Sequence, residues 1–67
     1  MKLFIWKNVR CDYTCGIAFA MANNIEEARN KIKENSEDWE WDSYKGELMD
    51  EPEIFEEPHG DWISGGG

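Results

Sequence analysis

Apolar and polar positions alternate at the start of the chain in the manner of a β-strand. Lys2–Val9 (KLFIWKNV) places Leu3 and Val9 on one face and Phe4 and Trp6 on the other. Lys7 is the one polar side chain on the Leu3 face. A strand with apolar groups on both faces is typical of the centre of a sheet. We therefore predict a central strand.

A second strand is predicted at Cys15–Ala22 (CGIAFAMA). Here Ile17, Phe19 and Met21 alternate with alanines, and small side chains along one face indicate that another element lies close against it. The intervening residues 10–14 (RCDYT) predict a turn, because Asp and Thr side chains accept local hydrogen bonds. The two strands then form a β-hairpin, with the following helix covering the alanine face.

A helix is predicted after Asn24, which is a favourable N-cap with a glutamate three residues later, as in a capping box. Ile25, Ala28 and Ile32 at positions i, i+3 and i+7 form one narrow apolar stripe. Acidic residues occupy the first turn and basic residues the last, which suits the helix dipole. The helix is expected to end at residue 35 or 36.

The acidic second half has weaker patterns. Trp39 and Trp41 alternate with acidic residues, which predicts a third strand with one buried face, broken at Gly46. Glu47–Met49 is also expected to be extended.

Pro52 and Pro58 bracket Glu53–Glu57, where Ile54 and Phe55 indicate a short strand or a docked loop.

The predicted fold is a single small α+β domain over residues 1–64: a β-hairpin, one helix, and one to three short strands (ββαβ-like). The helix packs on an antiparallel sheet, and residues 65–67 form a flexible glycine tail.

Size and charge exclude several classes of function. The chain has 67 residues, with 15 acidic and 7 basic side chains and a net charge of −8. This length excludes a multidomain enzyme, and we expect no catalysis and no cofactor. The negative charge argues against direct binding to nucleic acid or to an anionic membrane. No apolar run reaches the roughly 20 residues of a membrane span, and no secretory signal is recognised, so a cytoplasmic location is expected.

The charge is concentrated in the second half. Residues 1–33 hold six basic and three acidic side chains, whereas residues 34–67 hold one basic and twelve acidic side chains. The simplest explanation of so many acidic residues in one segment is a solvent-exposed face that keeps the protein soluble. Its density also fits a surface for a basic partner, and tryptophans are enriched in binding hot spots. The predicted partner-binding residues are Glu37, Asp38, Trp39, Glu40, Trp41, Asp42, Glu47, Asp50, Glu51, Glu53, Glu56, Glu57 and Trp62.

Cys11 and Cys15 have neither the C-x-x-C spacing of redox sites nor the second pair of a zinc site. A disulfide between them would close a very short loop and stabilise little. Without a secretory signal we expect both to be reduced thiols. A small metal-binding module using the two cysteines with His59 and Asp61 stays open as an alternative. A second alternative is a ubiquitin-like or sulfur-carrier protein acting through Gly66-Gly67, although a plain flexible terminus also explains these glycines.

The opening Met1–Ile17 (MKLFIWKNVRCDYTCGI), with the Glu26-Glu27-Ala28-Arg29 helix start, resembles small acidic proteins common in phage and prophage genomes. These resemble one another in a W-K-x-V-x-x-D-Y-T-x-G pattern, present here from Trp6 to Gly16. Small acidic phage proteins are often inhibitors of host defence, including anti-CRISPR and anti-restriction proteins, many of which present carboxylates in place of DNA phosphates.

The resemblance implies a non-catalytic inhibitor that occupies a basic surface of a host nuclease or CRISPR effector. Partner Lys and Arg groups that bind phosphate would pair with carboxylates instead. If the chain is phage-encoded, this would occur in the host cytoplasm. An unpaired sheet edge would also allow a homodimer, and the exposed side of the helix is another possible interface.

Overall fold

The structure is a computed structural model that describes residues 1–62. It confirms the α+β class: a three-stranded antiparallel sheet, in the order β2-β1-β3, carries two helices. Ile63, Ser64 and the predicted glycine tail lie outside the described residues. The elements in chain order are β1 Lys2–Val9, β2 Gly16–Ala22, α1 Ile25–Glu34, α2 Asp38–Tyr44, a 3-10 helix Lys45–Met49, and β3 Glu53–Phe55.

β1 is the central strand, as predicted, because β2 and β3 pair with its two edges. Its Phe4 and Trp6 side chains are each 2% exposed and form the centre of the core. The Trp6 indole N–H donates to the Asp50 carbonyl at 2.8 Å. This bond satisfies the only polar atom of the buried tryptophan side chain and holds the segment before β3 against β1.

The position predicted for Val9 is wrong. A β-bulge between Lys7 and Val9 shifts the register with β2, and Asn8 within it has a φ of 59°. The extra residue reverses the alternation, so that Val9 joins the core cluster of Phe4 and Trp6 instead of following Leu3. Asparagine tolerates this left-handed conformation better than most residues.

The alanine face of β2 packs under α1, as the small side chains predicted. Ala22 and Ala28 are fully buried and Ala20 nearly so, with Ile25 and Ile32 packed around them. Side chains no larger than a methyl group let the helix backbone lie close to the sheet.

The predicted ends of α1 are also confirmed. The Asn24 side chain accepts a hydrogen bond from the Glu27 backbone N–H at 2.8 Å, which makes it the N-cap. The helix ends with Asn35 as its C-cap.

The third strand predicted around Trp39 and Trp41 is wrong, because these residues lie in α2. Glu37 is its N-cap, and the Glu37 backbone N–H donates to the Glu40 carboxylate at 3.4 Å. Acidic side chains at a helix N-terminus stabilise it through the helix dipole. The extended conformation expected for Glu47–Met49 is likewise replaced by the 3-10 helix, in which Leu48 is buried.

The two cysteines also differ from expectation. Cys11 and Cys15 form a disulfide within the loop of the β1–β2 hairpin, with their Cα atoms 4.0 Å apart. The hairpin itself brings the two residues together, because antiparallel strands joined by a short loop place the loop ends side by side. Spacing along the chain alone did not indicate this pairing.

The short strand predicted between the two prolines is confirmed as β3, where Ile54 lies opposite Phe4 and Phe55 opposite Leu3. No helix within residues 1–62 is both long and apolar enough to span a membrane.

Candidate partner-binding surface

The basic side chains of β1 contact the acidic residues of β3 and the segment after it. Lys7 forms an ion pair with Glu53 at 3.0 Å, and Lys2 forms one with Glu56 at 3.5 Å. These pairs are partly exposed, so each contributes little to stability. They do explain why Lys7 interrupts the apolar pattern of its face: its ammonium group meets a carboxylate on the neighbouring strand.

Arg10 links the hairpin loop to the helices of the acidic half. Its guanidinium forms an ion pair with Glu40, and its backbone N–H donates to the Glu47 carboxylate at 3.3 Å. The guanidinium carbon lies 4.9 Å from the Tyr44 ring centroid and 5.6 Å from that of Trp39, both within cation–π range. We call Arg10, Trp39, Glu40, Tyr44 and Glu47 the Arg10 cluster.

The remaining basic residues are also engaged within the molecule. The Arg29 Nε–H donates to the Leu48 carbonyl at 2.7 Å, which ties α1 to the 3-10 helix. Lys33 lies 5.7 Å from the Trp41 ring centroid. Two further ion pairs, each between residues three apart, are Lys31–Glu34 and Lys45–Asp42. Every basic side chain of the chain therefore has an acidic, carbonyl or aromatic partner.

This pairing divides the predicted acidic residues into three groups. Glu40, Asp42, Glu53 and Glu56 form ion pairs. The Glu37 and Glu47 carboxylates accept hydrogen bonds. Within residues 1–62, four predicted carboxylates are exposed and have neither kind of contact, namely Asp38, Asp50, Glu51 and Glu57. We call these four residues the free carboxylates.

The predicted tryptophans have three different environments. Trp39 is 55% exposed, and its indole N–H donates to the Glu37 carboxylate at 2.7 Å, which orients the ring within the Arg10 cluster. Trp41 is half-buried and packs against the core. Trp62 is 92% exposed. Residues two apart on a helix point in opposite directions. The helix α2 therefore separates Trp39 from Trp41, whereas the predicted strand would have placed both on one face.

The residues of the metal-binding alternative do not form a site. Both sulfurs of Cys11 and Cys15 are joined in the disulfide, so neither is available as a thiolate ligand. The His59 ring stacks on Phe55 with their centroids 4.0 Å apart. In the part of the chain that is described, no three Cys, His, Asp or Glu side chains are grouped to hold a metal ion.

Sequence reasoning missed one surface. The sheet face opposite α1, which we call the open sheet face, carries half-buried Leu3 and Ile5 beside Ile17, Phe19 and Met21, which are 42%, 62% and 54% exposed. The same alternation that identified β2 contained the signal, because large apolar side chains line one face of that strand. The segment that follows β3 lies beside Leu3 and Ile5, whereas Ile17, Phe19 and Met21 stay exposed.

A groove of about 540 Å³ lies beside β2, between the strand and the two helices. Ala18, Ala20 and Ile32 give it an apolar floor, and Trp41 and Tyr44 line its α2 side. Charged side chains from the hairpin loop and from the helices also line the groove. An apolar floor with a few polar groups around it suits binding.

Comparison of the chain with protein-family models, with curated proteins and with solved structures finds no match.

Proposed function

We propose that this protein is a non-catalytic binding protein whose acidic second half occupies a basic, nucleic-acid-binding surface of a partner. The observation that carries the proposal is the division of charge: the molecule's own basic side chains are engaged internally, while the free carboxylates face solvent. The partner class that the phage resemblance favours is a host nuclease or CRISPR effector, which the protein would inhibit.

The mechanism is competition for the same cations. Partner Lys and Arg side chains that bind phosphate would form charge-assisted hydrogen bonds with Asp38, Asp50, Glu51 and Glu57. Trp39, exposed and held by Glu37, supplies a rigid aromatic group next to Asp38, and aromatic groups of this kind often anchor interfaces. The surrounding negative charge accelerates encounter with a basic surface.

The first test is capture of a partner from a bacterial lysate on the immobilised protein, followed by washes of rising salt. Ion pairs to a nucleic-acid-binding groove weaken steeply with salt, so the partner should elute between low and moderate salt. The captured protein should itself bind duplex DNA. A partner that stays bound at high salt would contradict phosphate mimicry.

Two matched double variants locate the surface. Asp50→Asn with Glu51→Gln removes two free carboxylates, whereas Asp12→Asn with Glu26→Gln removes the same number and kinds of exposed carboxylate outside the predicted surface. We expect the first to lower partner affinity at least about tenfold, since charged hydrogen bonds contribute about 1.5–3 kcal/mol each. The second should leave affinity nearly unchanged, and equal losses would refute the assignment.

A further inference from the structure

The two edges of the sheet differ in how well they are protected. β3 has only three residues, begins directly after Pro52, and carries Glu53 in an ion pair with Lys7. Short length, proline and charge are three of the devices by which proteins prevent an edge strand from pairing with another chain. The β3 edge is thus closed to further strands.

The β2 edge has none of these devices. Gly16–Ala22 (GIAFAMA) has seven residues without a charge or a proline, and none of its residues has a positive φ. Because β2 pairs only with β1, the hydrogen-bonding groups on its other side have no strand partner within the described residues. An uncharged edge of this length is a template for pairing.

The β2 sequence is also complementary to itself. In an antiparallel pair centred on Phe19, Ile17 lies opposite the second copy's Met21, and Ala18 lies opposite the second copy's Ala20. Side chains that lie opposite each other share a face, so apolar residues of the open sheet face meet their equivalents. A shift by one residue would place the large side chains beside the alanines.

We propose that two copies of this chain associate through their β2 edges, in the register centred on Phe19, to form one six-stranded antiparallel sheet. The strand order is β3-β1-β2-β2-β1-β3. The lack of charge along β2 favours a second copy over a basic partner at this edge, because such a partner is attracted elsewhere on the molecule. A seven-residue strand pair buries less surface than standard interfaces of about 1,600 Å², so the dimer is weak.

Sedimentation equilibrium from micromolar to millimolar concentration tests the dimer. We expect a reversible monomer–dimer equilibrium that is unchanged or tighter when salt rises from about 0.15 M to about 1 M, since each copy has a charge of −8 and salt screens repulsion. Partner binding through the free carboxylates weakens over the same range. The two proposals can therefore fail separately. A chain that stays monomeric at millimolar concentration would overturn the dimer.

A pair of variants tests the edge. Phe19→Lys places two lysines opposite each other at the symmetry axis, and Phe19 lies outside the core, so the fold should persist by circular dichroism. Met49→Lys is the control, because it adds the same positive charge at a similarly exposed apolar residue in the 3-10 helix. We expect only Phe19→Lys to be monomeric.

Hydrogen exchange provides a readout without substitution. The β2 amides that face away from β1 should become more protected as wild-type concentration rises, because pairing engages them. Dimerisation of Phe19→Lys at the wild-type concentration, or β2 exchange that does not change with concentration in a dimer, would refute pairing through this edge.

Discussion

Arg10 is the residue that joins the hairpin loop to the helices of the acidic half. It follows the bulged end of β1 with a φ of 52°, and the Arg10 cluster gathers around it. The sequence indicated a turn here, because residues of the RCDYT segment favour one. It could not indicate the cluster, since Trp39, Glu40 and Tyr44 reach Arg10 only when they lie on a helix.

Replacing Arg10 should therefore loosen the contact between hairpin and helices. Arg10→Ala removes a partly exposed ion pair and cation–π contacts, and we expect it to lower the free energy of unfolding by about 1–2 kcal/mol. Urea unfolding followed by tryptophan fluorescence measures this. Lys31→Ala, which removes only a surface ion pair, should cost less than about 0.5 kcal/mol. Equal effects of the two substitutions would refute a special role for Arg10.

At the scale of elements, the sequence correctly predicted the strands and the helix that short-range sequence patterns specify. The hairpin and α1 were correct because alternation in β1 and β2, and the Asn24 cap, act within a few residues. α2 was missed because two tryptophans two residues apart match the alternation of a strand, whereas on a helix they point in opposite directions. The acidic residues at 37, 38 and 40 favour a helix N-terminus. They are the sequence signal that distinguishes a helix from a strand in this segment.

The two tryptophans of α2 should respond differently to truncation. Trp41 packs on the core, so we expect Trp41→Ala to lower unfolding free energy by about 2–3 kcal/mol, somewhat less than for a fully buried aromatic residue. Trp39→Ala should cost less than about 1 kcal/mol, because the ring is largely exposed, while weakening partner binding. A larger loss of stability from Trp39→Ala, measured by chemical denaturation, would contradict the observed orientation of α2.

For the whole molecule, the net charge of −8 combines basic side chains that are engaged within the molecule with acidic side chains that are partly free. Composition predicted an acidic surface, and the structure places four of the predicted acidic residues in ion pairs with basic residues. Which carboxylates remain free depends on β3 lying beside β1 and on Arg10 reaching α2. These are contacts between residues far apart in sequence, which no local pattern specifies.

Displacement of DNA from the captured partner tests the central claim most directly. Fluorescence anisotropy of a labelled duplex bound to that partner would be followed as this protein is added, for the wild type and for the two double variants. We predict full displacement by the wild type and by the Asp12→Asn/Glu26→Gln control, and weaker displacement by Asp50→Asn/Glu51→Gln. If DNA and this protein bind the partner at the same time, the acidic surface does not occupy the phosphate site and the claim is wrong.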